Sequence, residues 1–164
     1  MFGAMLVESV LTKGGLMSKI KKIYVASSWA NVHQHAVVIW LRKQYEVYDF
    51  RENPAFDEFS LDSQDLVRPH EHEKIPEEAL QRAFDEDMEA LDECHAVVLV
   101  NPCGISSHME LAWAIGRGKP GFILYTPTRP ELMARMAYQP CPNITELLEK
   151  ISITEVFDDH DYTF

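Results

Sequence analysis

The sequence is short of several residue types, and each shortage closes off a class of function. Three cysteines, Cys94, Cys103 and Cys141, have neither the pairing of a disulfide framework nor the spacing of a zinc site. They point to a reducing compartment, so a cytoplasmic location is expected. Only 15 Lys and Arg stand against 26 Asp and Glu, a formal net charge of −11. Without a cationic stripe to displace counterions, nucleic acid is not expected as a partner. No apolar run approaches the roughly 20 residues that span a bilayer, so no membrane partner is expected either. A small molecule or another protein remains.

What is present fits one globular domain: 164 residues, 46% of them apolar. Residues 1–16, MFGAMLVESVLTKGGL, are too short and too weakly apolar for a signal peptide. Met17-Ser18-Lys19 reads as an ordinary start, so 1–16 is expected to be a disordered extension and 17–164 the domain. Ile23–Ala26 reads as a first strand, followed by a Ser27-Ser28-Trp29-Ala30 turn. Val32, Ala36, Ile39 and Trp40 then recur at helical spacing through about Tyr45, and Glu46–Phe50 is a second strand. Residues 54–76 read as a long polar loop. Pro76 opens a helix, Phe122–Tyr125 is a later strand, and two short helices follow at about Pro130–Ala137 and Ile144–Ile151. Such alternation predicts an α/β fold with a doubly wound parallel sheet.

The segment His95–Pro120 is the most informative. Ala96–Val100 is an apolar run suited to a strand buried on both faces. It breaks at Asn101-Pro102-Cys103-Gly104, where Gly104 supplies a residue able to take positive φ. A helix is predicted to open at Ser106 or Ser107, to carry Glu110 in its first turn, and to close at Gly116-Arg117-Gly118 before Pro120. Strand end, loop and helix start converge where ligands bind in open α/β sheets. The substrate-binding candidates are therefore Ser27, Ser28 and Trp29 after the first strand, Asp49 and Arg51 ending the second, and Gly104, Ser106 and Ser107 after the third.

Two carboxylates carry competing readings. On the helix from Glu77 to Leu91, the stripe Leu80, Ala83, Phe84, Met88 and Leu91 includes Asp87 at the i+7 position. An inward acid is costly unless it is paired or faces a cavity. Asp87 is either a stripe-edge residue reaching water or a cap on a neighbouring helix, or else a pocket carboxylate with a raised pKa. Ser107-x-x-Glu110 fits a capping box, which by itself accounts for Glu110. The alternative is a nucleophile that the helix dipole holds ionised.

These elements carry a resemblance. Tyr24 within Ile23–Ala26, the Ser-Ser-Trp turn, Val47-Tyr48-Asp49-Phe50-Arg51 and Asp87-x-x-x-Leu91 are similar to the nucleoside 2-deoxyribosyltransferase family. So, most specifically, is Cys103-Gly104-x-Ser106-x-His108-x-Glu110-x-Ala112-x-Ala114-x-Gly116-x-Gly118-Lys119-Pro120. The family belongs to the N-(deoxy)ribosyltransferase-like superfamily, with the nucleoside 5′-monophosphate N-glycosidases. The similarity covers about Lys22 to Ile151. It departs at Ala112, where the family usually has Gly, and at Asn101-Pro102-Cys103, where many transferases carry an acid.

The resemblance implies a flavodoxin-like, three-layer α/β/α sandwich and a role in nucleotide metabolism or salvage. It also implies no cofactor, a nucleoside or nucleotide substrate and a homo-oligomer. Glu110 matches the nucleophile that attacks C1′, Tyr24 the tyrosine that holds it, and Asp87 the acid that protonates the departing base. That division of labour follows the two-carboxylate logic of retaining glycosidases. Whether water or a second base resolves the intermediate separates hydrolase from transferase, and the motif fits both.

Other features have plainer accounts. His70-Glu71-His72-Glu73 reads as a solvated charge run, so no metal is expected. Cys103 lacks an evident base, and His108 either touches a ligand or lies outside. Three classes of function are thus open: a glycosyl-transferring or hydrolysing enzyme, a non-catalytic nucleotide-binding or sensing module, and an interaction domain in which Glu110 is only a cap.

Overall fold

The computed structural model describes residues 17–55, 75–125, 132–137 and 139–157. The proposed extension at 1–16, most of the 54–76 loop and the tail from Asp158 lie outside the described residues. Within them the elements are β1 (Met17–Lys19), β2 (Lys22–Ala26), α1 (Gln34–Leu41) and β3 (Glu46–Asp49), with a 3-10 turn at Phe50–Glu52. Next come α2 (Glu77–Glu93), β4 (Ala96–Val100), α3 (Ile105–Gly116) and β5 (Gly121–Leu124). A second 3-10 turn at Leu132–Met136 precedes β6 (Gln139–Cys141), α4 (Ile144–Ile153) and β7 (Glu155–Phe157).

Five parallel strands form the sheet in the order β3-β2-β4-β5-β6. This is the flavodoxin-like doubly wound order, and the chain changes direction between β2 and β4. Alternation along each strand divides the core in two. Ile23, Val25, Val98, Val100, Phe122 and Leu124 pack beneath α1 and α4 with Val37, Leu41, Leu147 and Ile151. Tyr24, Ala26, Val97, Leu99 and Ile123 face α2 and α3 with Ala90, Leu91, Leu111 and Ala114. The α/β/α sandwich is therefore the fold, as expected.

Local signals explain α3. Its C-terminus closes in a Schellman pair, with the Lys119 N–H donating to Ala114 O and the Gly118 N–H to Ile115 O. Gly118 takes φ 79°, where a side chain is strained. At Gly121, an added Cβ would lie 2.6 Å from Leu111 Cδ1, so the missing side chain lets α3 approach β5. The helix α4 is capped by Asn143, whose side chain accepts from the Glu146 N–H.

Several expectations are corrected. Helix α1 ends at Leu41, and its inward face is Gln34, Val37, Val38 and Leu41. Val32, Ile39 and Trp40 are exposed, because Gln34 is buried against Asp49 and shifts the phase. On α2, Phe84 is exposed and the buried positions are Ala79, Ala83, Ala90 and Leu91. Strand β6 replaces part of an expected connection. Met17–Lys19 is itself a strand, paired antiparallel with β7.

Candidate active site

The sheet register builds the site. Tyr24 pairs with Tyr48 across β2 and β3, so both rings leave on the α2/α3 side. They stack with centroids 5.2 Å apart and planes at 18°. Tyr24 sits mid-strand and is fully buried. Asp87 descends from α2 onto this platform. Its Oδ1 accepts from Tyr48 Oη at 2.7 Å and from Asn53 Nδ2 at 3.1 Å. Asp87 is thus paired through Oδ1 and only partly exposed.

Glu110 comes from the second turn of α3, because the helix starts at Ile105 rather than at Ser106 or Ser107. Gly104 is the N-cap, with φ −90°, so the expected positive φ does not occur there. The capping box does not form. Ser107 lies inside the helix and its Oγ donates to Ser27 O at 2.6 Å, which leaves Glu110 without a capping role.

Electrostatics join these groups. Burial, and then the charge of Asp87, push the Glu110 carboxyl up to about 7. Both effects work against the ionised form that the helix dipole was expected to favour, and Glu110 lies in the second turn of α3, past the dipole's first-turn reach. Burial also raises Asp87, against the lowering effect of its bonds from Tyr48 and Asn53. The Tyr24 phenol is raised far above its ordinary value by burial, then by Glu110 and Asp87. Among the described residues, Tyr24 Oη and Glu110 Oε2 are each buried with no hydrogen-bond partner. Tyr24 Oη thus makes no hydrogen bond to Glu110 in this structure, and the two are coupled through the Glu110 charge.

The remaining sequence candidates lie on the strand ends and serve mainly to tie loops together. Ser27 Oγ donates to Val100 O and accepts from Asn31 Nδ2. Through the Ser107 bond to Ser27 O, this network anchors the start of α3. Asp49 points to the α1 face, accepting from Gln34 Nε2 at 2.6 Å and from the Arg51 N–H. It is thus separated from Asp87 by the pleat. Arg51 Nη2 donates to Ser28 O, Trp29 O and Asn31 O, so this nitrogen is committed to the loop. Trp29 packs edge-on against Phe50, and Ser106 is exposed.

Cys103 lies beside the site, 3.7 Å from His108 Nδ1. Burial, and then Glu110, push its thiol up to about 11, so it is not a thiolate nucleophile at neutral pH. His108 is exposed, its Nδ1 2.8 Å from Gly104 O. Among the described residues no group of three or more His, Cys, Asp or Glu is placed to hold a metal ion. His70–Glu73 lies outside the described residues. No helix among the described residues is long and apolar enough to cross a membrane. Sequence reasoning missed Tyr48 and Asn53 as site residues. Tyr48 was detectable, since period-two alternation from parallel strands puts it beside Tyr24.

No protein-family model matches the chain, and neither does any curated protein. Solved structures do. A 2-deoxyribosyltransferase from Bacillus psychrosaccharolyticus superimposes with TM-score 0.59 at 20% identity, over 81% of this chain and 97% of that one. The two share a fold. A conserved protein from Enterococcus faecalis V583 gives 0.49 at 16% identity, over 80% of this chain and 97% of its own. The CMP N-glycosidase BcmB of Clostridium botulinum gives 0.45 at 17%, over 81% and 100%. The fold implied by the motif resemblance is thus the fold found.

Proposed function

We propose that this protein is an enzyme that cleaves or transfers the base–sugar bond of a nucleoside or nucleotide, with Glu110 as nucleophile and Asp87 as general acid. One observation carries the reading: two interacting carboxyls with raised pKa values share a buried site with unpartnered polar oxygens on Tyr24 and Glu110. Buried polar atoms without partners are costly in a folded protein. A hydroxyl-bearing ligand such as a sugar satisfies both.

The chemistry requires Glu110 ionised and Asp87 protonated at the same moment. In the free site the pull is in the other sense, since Asp87 already accepts two hydrogen bonds and Glu110 Oε2 accepts none. A sugar hydroxyl that donates to Glu110 favours its carboxylate, and the charge on Glu110 then favours the protonated form of Asp87. The Glu110 lone pair forms the bond to C1′ while the C1′–N pair leaves with the base, protonated by Asp87. Water or an acceptor base then attacks C1′, returns its proton to the Asp87 carboxylate and releases Glu110. Exposed Trp40, Met133 and Met136 support assembly of at least a dimer.

The test is chromatography of deoxynucleosides, ribonucleosides, their monophosphates and NAD, each with and without an acceptor base. Release or exchange of the base supports the reading. Thermal stabilisation by a nucleotide without turnover indicates a binding module instead, and neither effect indicates an interaction domain.

A further inference from the structure

We infer that Tyr48 and Asn53 are positioning residues that confine the proton of Asp87 to Oδ2 and take up on Oδ1 the negative charge left when that proton is given away. This rests on Asp87 being the general acid of the reading above. Both donors converge on one oxygen, Oδ1, from Tyr48 Oη and Asn53 Nδ2. An oxygen that accepts two such bonds is a poor place for a proton, so the protonated form carries it on the other oxygen. When Oδ2–H passes its proton to the ring nitrogen of the departing base, the new charge is already met by two aligned donors.

Both donors are themselves fixed. Asn53 is buried, and its amide group donates to Ala83 O, one turn before Asp87 on α2, as well as to Asp87. Its Oδ1 accepts from the Ala55 N–H. Tyr48 is held by its stack on Tyr24. Neither donor need rotate as the acid ionises. The groups acting on Asp87 are Tyr48 from β3 and Asn53, through their hydrogen bonds, and Glu86 on its own helix; Asp87 in turn raises Glu110 from α3 and Tyr24 from β2. Burial opposes ionisation most and the Glu86 charge adds to it, while the Tyr48 and Asn53 bonds act against both.

The experiment follows Asp87 directly, by 13C NMR titration of labelled aspartate carboxyls in the full chain, with the resonance assigned from its loss in Asp87→Asn. Tyr48→Phe should raise the Asp87 pKa by about one unit, and Asn53→Ser by somewhat less. An unchanged Asp87 titration in both variants overturns the inference. On a cleaved nucleoside, Tyr48→Phe should move the alkaline limb of the rate profile up by the same amount. It should slow an unactivated base roughly tenfold and an activated base little. Equal slowing of both bases with an unmoved limb would show a merely structural tyrosine and also overturns it. If the wild type cleaves no nucleoside, the functional reading falls, while the titration still decides whether the two donors govern Asp87.

Discussion

The two faces of the sheet are built from alternate residues of the same strands, yet they are spent differently. Beneath α1 and α4 the strand side chains are mostly aliphatic, joined by Phe122, Cys141 and the Asp49 that pairs with Gln34, and they pack against Val37, Leu41, Leu147 and Ile151. Beneath α2 and α3 the same strands present Tyr24 and Tyr48, and the covering helices bring Asp87 and Glu110 inward. Burying those groups opposes folding, as the raised carboxyl pKa values show. The apolar face holds the sheet together, and the polar face uses that rigidity to keep two acids out of water. Substitutions on the two faces should therefore fail in opposite ways.

The largest effect is expected at Glu110. Glu110→Gln should lower turnover by several orders of magnitude, measured as base release. It should also stabilise the protein above neutral pH. The folded carboxyl titrates near 7 against an ordinary value of 4.5, so the folded state holds the extra proton between those values. Wild-type stability then falls as pH rises through that window, and the variant escapes the loss. By pH 8 the difference should reach about 3 kcal/mol in denaturant unfolding. A variant as active as wild type would erase the distinction between the faces.

Asp87→Asn comes next. It keeps an oxygen for Tyr48 and Asn53 but has no proton to give at Oδ2. Cleavage of poor leaving bases should slow by about 10²–10⁴-fold, and activated bases should be nearly unaffected. Kinetics across a leaving-group series check this.

Much of this division was legible in the chain. The run from Ala96 through Gly118 was readable because strand, loop, helix and glycine cap are local signals, and the inward phase of Asp87 followed from helical spacing. Strand β6 was not readable: Gln139-Pro140-Cys141 is three residues long with a proline, which only a sheet edge tolerates. The pairing of β1 with β7 joins chain ends, which no local pattern reports. Helix α1 was misphased because the buried polar Gln34, satisfied by Asp49, looks like a surface residue in sequence. Glu110 was read as a possible cap because Ser107 stands at the right spacing, but its hydroxyl is committed to Ser27 O across the fold.

On the apolar face, Leu41→Ala should cost about 2–5 kcal/mol in unfolding free energy while leaving the rate per folded molecule unchanged. The smallest effect sharpens the contrast. Tyr24→Phe removes a buried hydroxyl with no partner, so stability should rise by about 1 kcal/mol while turnover falls, as seen by thermal melts beside rate measurements.

The central claim is that Glu110 forms a bond to the sugar. Acid-quenched protein, mixed with a cleaved nucleoside during turnover and digested for mass spectrometry, tests it most directly. The account predicts a pentosyl or deoxypentosyl adduct on the peptide containing Glu110, absent from Glu110→Gln. An adduct located on Cys103, or on any other residue in place of Glu110, would contradict it.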